Sequence, residues 1–482
     1  MHLLSTASEA YPLVKTGGLA DVVGALPAAL APHGVATTTL LPGYPAVLKA
    51  AGHAKPVHRW PKLLGGEARL LKAEVAGLDF LILDAPALYA RDGGLYGDPT
   101  GIDWPDNWRR FAALARAAAD LASGAVEDYT FDILHAHDWQ AAMAPAYLRY
   151  APDAVGATRA KTVVTVHNIA FQGRFDASVF AELDLPRAAF ALDGVEYYGG
   201  VGFLKAGLEA ADAITTVSPT YAEEILRPEF GMGLEGLIAA RSARVSGIVN
   251  GIDPAVWSPA RDPHLAQPFT ARTLTRRRAS KRAVEQAFAL DAGDGPIFTV
   301  VSRLTWQKGM DVLAWSLDDL VAAGGRLALL GSGDAALESA FLQAAARHPG
   351  RIGVRIGYDE PLSHLLQGGA DAILIPSRFE PCGLTQLYGL AYGCVPVVAR
   401  TGGLADTVID ANDAALAAGV ATGIVFDGVS YDALTRAIRR TAALYARPDV
   451  WTTLQRNGMR ADFSWGRSGR RYADLYRSLI AA

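Results

Sequence analysis

The sequence predicts an α/β protein built from two doubly wound domains, and three observations predict it. The first is length. The chain has 482 residues, whereas a single hydrophobic core stops growing at about 250–300 residues. The second is a recurring unit of a short, nearly continuous apolar run, a glycine-containing turn and a longer helical pattern. The third is an internal echo. Residues 15–23 read KTGGLADVV and residues 400–408 read RTGGLADTV, identical at seven of nine positions. Two related domains, each with a Gly-Gly turn at a helix N-terminus, would produce it, and no shorter period points to a solenoid.

The early runs are His2–Ser5, Phe80–Asp84, Ile133–Ala136, Thr162–His167, Ala213–Val217 and Val245–Val249. The later ones are Ile297–Val301, Leu327–Leu330, Ile352–Ile356, Ala372–Ile375 and Val395–Val398. Runs this short and this apolar suit parallel strands buried on both faces. In such sheets ligands bind beyond the carboxyl ends of the strands, so the polar residues after each run are the candidates for function. The series breaks over Asp253–Gly295, a polar segment rich in Pro and then in Arg and Lys. The domain junction is expected near Val249–Pro254, with domains 1–250 and 251–459 and a terminal segment 460–482. The TRRRASKR cluster (Thr275–Arg282) is read as a solvated helix face, because no aromatic residues interleave with its charges as nucleic-acid binding would require.

Composition narrows the function classes. Hydrophobic residues make up 51%, charged residues 20%, and the formal net charge is −4, which offers no general attraction to nucleic acid or an anionic membrane. The two cysteines, Cys382 and Cys394, do not make a disulfide framework, and the N-terminus shows no signal-peptide pattern, so a cytoplasmic location is expected. No membrane span is expected. Ala-rich stretches such as Phe111–Ala122 read as amphipathic surface helices. The nine Trp read as core or cleft-wall residues.

Lys15-Thr16-Gly17-Gly18 follows the first run and leads into the apolar helix Val22–Leu30. Two glycines permit close backbone approach, free N–H groups at a helix start favour an anion, and Lys15 adds a full charge. The spacing is neither a Walker P-loop nor G-x-G-x-x-G. His135, His137 and Asp138 resemble a metal-ligand group, but alternation along a strand is expected to separate them, and no metal is assigned. Asp138 follows a buried-type strand, where a carboxylate serves sugar hydroxyls or caps the helix Trp139–Tyr147. His167 ends another run and suits hydrogen bonding or proton transfer. Arg303 and Lys308 directly follow Ile297–Val301, at its ligand-facing end, where two cations are either solvated surface residues or fixed charges able to stabilise an anion such as a departing diphosphate. Glu380 follows Ala372–Ile375, and Cys382, Gly383, Leu384 and Thr385 then open a helix. No charged base stands next to Cys382, which argues against a nucleophile.

KTGGLADV, HAHDW (135–139), VHNIAFQG (166–173), VNGID (249–253), SRLTWQKG (302–309) and EPCGLTQLYGLAYG (380–393) resemble, in order, the motifs of bacterial glycogen synthases and plant starch synthases. The resemblance implies the GT-B fold: two Rossmann-like domains facing a deep cleft, with a last helix, Asp462–Ile480, returning to the first domain. It implies that Lys15, Gly17, Gly18, Asp138, Asn250, Tyr358, Cys382, Gly383, Leu384 and Thr385 bind a nucleotide-sugar, Tyr358 by stacking on the base. It implies that Arg303, Lys308, Glu380 and His167 carry catalysis. A second Glu found eight positions after the first in many retaining relatives is Tyr388 here, which argues against sucrose- and trehalose-type enzymes. The implied reaction is retaining transfer of glucose from ADP-glucose, without a cofactor, to the non-reducing end of an α-1,4-glucan. The partners would be the glucan and the nucleotide-sugar, with no nucleic acid and no membrane. A transferase with a lipid or small-molecule acceptor, and a catalytically silent glycan binder, are the competing readings.

Overall fold

The computed structural model describes residues 1–150 and 160–481. It divides into two units: Met1–Asn250 with Trp465–Ala482, and Gly251–Ser464. The chain between Arg460 and Trp465 belongs to the second unit because the Ile252 N–H donates to the Phe463 carbonyl at 2.8 Å and Ile252 bridges Ser464. The unit therefore ends a few residues beyond the expected 459.

The first unit is organised on β1 (His2–Thr6), β2 (Ala36–Pro42), β3 (Lys55–Leu63), β4 (Gly66–Val75), β5 (Leu78–Asp84), β6 (Ile133–His137) and β7 (Lys161–Val166). A small sheet of β8 (Arg174–Phe175), β9 (Glu196–Tyr197) and β10 (Gly200–Gly202) follows, and then β11 (Ala213–Thr216) and β12 (Val245–Gly247). The main sheet has the order β12-β11-β7-β6-β1-β2-β5-β4-β3. It is not wholly parallel as the apolar runs suggest: β4 pairs antiparallel with both β3 and β5. These strands are joined by two-residue turns, Leu64-Gly65 and Ala76-Gly77, with positive φ at all four positions. That backbone matches the twist of a hairpin. Strand β4 alternates buried Ala68 and Leu70 with exposed Glu67 and Arg69, so it covers one face only.

The Ala-rich helix is Asn107–Ala122, and it is not a surface helix. Phe111, Leu114, Leu121 and nearly every Ala between them are buried. Alanine is small enough to let this helix lie close between its neighbours, and from Phe111 to Ala122 it is Arg116 and Asp120 that reach outward, paired at 2.8 Å. The last helix, Trp465–Ala481, packs on the helix Gly18–Leu30 through Trp465, Tyr472 and Tyr476 against Val22, Leu26 and Leu30. A Cβ at Gly469 would lie 2.4 Å from the Ala29 carbonyl oxygen, so this crossing depends on glycine.

The second unit carries β13 (Ile297–Val301), β14 (Arg326–Gly331), β15 (Ile352–Ile356), β16 (Ala372–Ile375), β17 (Val395–Ala399) and β18 (Ile424–Phe426), all parallel, in the order β15-β14-β13-β16-β17-β18. The TRRRASKR helix, Arg277–Ala287, is not simply a solvated face. Arg277 is buried and donates to the carbonyls of Gln367 and Ala370, and Lys281 is buried against Asp371 at 2.8 Å. Among the described residues no helix is long and apolar enough to cross a membrane.

Each sheet reverses its winding once. In the first unit the chain leaves β1 toward β2 on one side and returns to β6 on the other. In the second it leaves β13 toward β14 and returns to β16. The carboxyl ends of such strand pairs form a crevice where doubly wound sheets bind ligands.

Candidate active site

At the switch point of the first unit, the turn after β1 is shaped by a residue that the sequence motifs passed over. Glu9 is buried, and its carboxylate accepts hydrogen bonds from the Thr16 hydroxyl at 2.9 and 3.0 Å, the Thr16 N–H and the Gly17 N–H at 3.4 Å. Tyr96 donates to the same carboxylate at 3.2 Å. Two N–H groups read as free for an anion therefore point at an acid. Burial raises the Glu9 pKa even so. Space remains at the turn, since a Cβ on Gly17 would meet nothing within 4 Å. Gly18 begins the helix Gly18–Leu30, and Lys15 forms a half-exposed ion pair with Asp21 at 2.8 Å. The signal for Glu9 was its place between the first strand and the Gly-Gly turn.

On β6, the residues expected to point apart lie side by side. His135 and His137 share a face of the strand, with ring centroids 4.1 Å apart. His137 Nδ1 lies 3.0 Å from His167 Nε2, and His137 Nε2 lies 3.2 Å from Ser5 Oγ. His135 bridges Thr165 at 2.5 Å and Tyr476 of the last helix at 2.8 Å. Residues i and i+2 of a strand lie on one side, so alternation brings these two histidines together rather than apart. Burial holds His135 and His167 at about 3 and His137 well below its usual range. Burial thus favours His167 as a neutral hydrogen-bonding group near neutral pH. Among the described residues no cluster of three His, Cys, Asp or Glu is placed to hold a metal ion.

Asp138 does not cap the helix that follows. It has φ +55°, and its carboxylate turns back to accept the N–H groups of His167 at 2.7 Å and Asn168 at 3.4 Å. The acid fixes the end of β7 instead, and burial pushes it up to about 7. The expected helix Trp139–Tyr147 is two pieces, Asp138–Ala141 and Met143–Tyr150. Asn250, the last residue of the first unit's main segment, is buried, and its Oδ1 has no hydrogen-bond partner among the described residues.

In the second unit, Arg303 and Lys308 lie just after β13, and Glu380 lies beyond β16. Lys308 Nζ is 2.5 Å from Glu380 Oε2, and Ser377 donates to the same oxygen at 2.9 Å. Arg303 is exposed, and no ion pair or hydrogen bond of its guanidinium is found among the described residues. Gly309 has φ +68°, and a Cβ there would lie 1.9 Å from the Pro376 carbonyl oxygen. The cationic loop is therefore seated directly on the segment that leads to Glu380. Cys382 is buried, Gly383 has φ +72°, and the helix opens at Thr385 after Leu384. The second turn of the echo holds this segment in place: the Gly403 N–H donates to the carbonyls of Glu380 and Pro381 at 3.1 and 3.2 Å. Tyr358 lies just beyond β15 and is 70% exposed. Tyr388, where many relatives carry a second Glu, stacks on Trp257 at 3.6 Å, and the other stacked partner of Trp257 is His364 at 3.8 Å. That position pins the connecting arm to the unit. Trp306 and Trp315 are 62% and 67% exposed, so they are not core residues.

Residues 2–240 match the family model described as the starch synthase catalytic domain, and residues 283–452 match that for glycosyl transferases group 1. The glycogen synthase of Novosphingobium aromaticivorans is 66% identical over 481 residues, covering 100% of this chain and 99% of that one. Glycogen synthase 1 of Rhizobium meliloti is 61% identical over 482 residues, covering 100% of both. The solved catalytic domain of starch synthase IV from Arabidopsis thaliana, bound to ADP and acarbose, superposes with a TM-score of 0.87 at 29% identity, covering 100% of this chain and 99% of that one. A sucrose-phosphate synthase from Thermosynechococcus elongatus, at 18% identity and a TM-score of 0.60 with 100% and 99% coverage, shares the fold alone. With two Rossmann-like units of the GT-B kind and full-length identity of this order, the chain belongs to the glycogen synthase family of glycosyltransferases.

Proposed function

We propose that this chain extends an α-1,4-glucan by transferring glucose from ADP-glucose to the 4-hydroxyl of the non-reducing end, with retention at the anomeric carbon. The observation that carries the reading is the arrangement at the β13/β16 switch point: Arg303, with no partner for its guanidinium among the described residues, and the Lys308–Glu380 pair. The strand order gives the donor a direction. Tyr358 after β15 would take the base, Arg303 and Lys308 after β13 the diphosphate, and Glu380 after β16 the glucose hydroxyls. The N–H groups from Cys382 to Thr385 would face the sugar and phosphates. In the first unit, Lys15, Gly17, Gly18, Asp138, His167 and Asn250 would complete the set, His167 as a neutral hydrogen-bonding group.

In this account the bond from C1 to the phosphate oxygen breaks while the acceptor O4 bonds to C1 on the same face. The acceptor proton passes to the departing phosphate oxygen. The two cations of the chain stabilise the charge that develops there, and no divalent metal or other cofactor is assigned to the step. Arg303→Ala is the cleaner probe of this role. Lys308→Ala would strand a nearly buried Glu380 and cost stability as well. Arg303→Ala should lower turnover by about 10²–10³ with an unchanged melting temperature.

The deciding experiment is incorporation of labelled glucose into glycogen from ADP-glucose and from UDP-glucose, with EDTA throughout. Strong incorporation from ADP-glucose supports donor, reaction and metal independence together. No incorporation from either donor by folded protein overturns the reading.

A further inference from the structure

An exposed indole stands inside the cationic loop and has no part in the roles proposed above. Trp306 lies between Arg303 and Lys308 and is 62% exposed. A single exposed apolar residue needs no explanation by itself; what sets this ring apart is how it is held and where it stands.

This one is held still. The guanidinium of Arg378 lies over one face of the ring, 4.3 Å from its centroid. Arg378 is itself fixed by a bidentate pair with Asp311 at 2.7 and 2.8 Å and by donating to the Trp306 carbonyl at 2.6 Å. Two further bonds lace the loops together: the Arg378 N–H to the Gln307 carbonyl at 2.8 Å, and Gln307 Nε2 to the Phe379 carbonyl at 3.3 Å. The glycine contact at Gly309 seats the same loop on Pro376. The result is a preorganised plate with one face occupied by a cation and the other open. Arg378, held by Asp311, backs the occupied face.

We infer that the open face of Trp306 is a subsite for a glucosyl ring of the α-glucan. The apolar C–H face of the sugar would stack on the open face of the indole, with its hydroxyls directed toward solvent. Position selects the sugar over the nucleobase. Arg378 belongs to the segment running from β16 to Glu380, so the plate stands on the side of the diphosphate loop assigned to glucose, while β15 and Tyr358 lie two strands away on the opposite side. The inference rests on the proposed function for the identity of the polymer.

The test compares wild type with Trp306→Ala and Trp306→Phe. Initial rates are measured against maltooligosaccharide at saturating ADP-glucose, and against ADP-glucose at saturating acceptor. The Ala variant should raise the acceptor concentration for half-maximal rate by about five- to ten-fold. Phe should restore most of the loss, and the ADP-glucose dependence should stay within about two-fold. A rise in the ADP-glucose dependence instead would assign the plate to the donor and overturn the inference, as would no change in either. Affinity electrophoresis through glycogen-containing gels reads binding without turnover. If wild type transfers no glucose, the proposed function fails, yet retardation of wild type and not of Trp306→Ala would still support the subsite. Equal mobility of the two would overturn it.

Discussion

The sequence TGGLAD occurs twice, and the two copies are built differently. In the first, the N–H groups of Thr16 and Gly17 are taken by the side-chain carboxylate of Glu9, and Gly17 faces open space. In the second, the Gly403 N–H is taken by the main-chain carbonyls of Glu380 and Pro381. Cβ atoms on Gly402 and Gly403 would lie 2.0 Å from the Glu380 oxygen and 2.1 Å from the Cys382 oxygen. Both turns open a helix after a parallel strand. One keeps its glycine for room, the other for contact. The same six residues take different backbones, Gly17 extended at φ −157° and its counterpart Gly402 at φ +42°, so the surroundings of a local motif decide both its shape and whether it faces a ligand or props up a neighbouring loop.

The sharpest way to break the comparison is Gly403→Ala against Gly17→Ala. The first drives a methyl into backbone that cannot swing aside, and about 3 kcal/mol of stability should be lost, with displacement of Glu380 and loss of activity. The second has room and an extended φ of −157°, so its stability should change by no more than about 0.5 kcal/mol. Its activity should fall if a ligand needs that space. Thermal melting with the glucose-incorporation assay separates the cases, and equal destabilisation would end the contrast.

Acid should separate the two units. His135, His137 and His167 have depressed folded values, so the stability they lend is present above about 6.5 and is lost as pH falls toward about 3. Asp138 and Glu9 have raised values and work in the opposite sense. The share from Asp138 is full below 3.8 and fades as pH rises through about 7. Three groups against two leave a net uptake of one to two protons on unfolding, or about 1–3 kcal/mol lost per pH unit below 6.5. Hydrogen exchange between pH 7 and 5 should therefore accelerate in β6 and β7 before β13 and β14. Simultaneous loss in all four would contradict it.

Glu9→Gln tests the side-chain half of the comparison directly. The amide keeps one acceptor oxygen and places an NH₂ against N–H donors, which should cost about 1–3 kcal/mol. The variant should also lose donor affinity as the Gly17–Gly18 turn relaxes. Unchanged melting would mean that the turn holds its shape without the acid.

What the sequence made legible follows the same division. Most strands buried on both faces were readable as apolar runs, although the parallel strands β2 and β18 were not among them. Asp138, Arg303 and Glu380 follow strands of the two switch points, Lys15 lies on the turn leading from β1, and His167 follows the neighbouring β7. Strands β3 and β4 were not readable, because Arg69, Lys72 and Glu74 interrupt the run and the turns are Leu-Gly and Ala-Gly, not the usual Asn-Gly. Glu9 was missed because no periodicity marks a single buried acid. The true exposure of Phe111–Ala122, and of Arg277 and Lys281, depends on what packs over them, which a helix's own pattern does not encode.

The smallest effect concerns the basic residue that begins each copy. Lys15 pairs with Asp21, and Arg400 pairs with Asp427, both at 2.7–2.8 Å and both partly exposed. Exposed pairs contribute only about 0–1 kcal/mol, so neither Lys15→Met nor Arg400→Met should shift melting appreciably. Function should distinguish them. Lys15 stands beside the open turn, and its removal should weaken ADP-glucose use by about ten-fold or more, the scale of a charge-assisted hydrogen bond. Arg400 precedes a turn whose N–H and Cβ positions are already filled by Glu380–Cys382, leaving its cation no ligand to meet. Arg400→Met should therefore keep wild-type kinetics. If it lost donor affinity as Lys15→Met does, the second turn would be a ligand site in its own right, and the division between room and contact would fail.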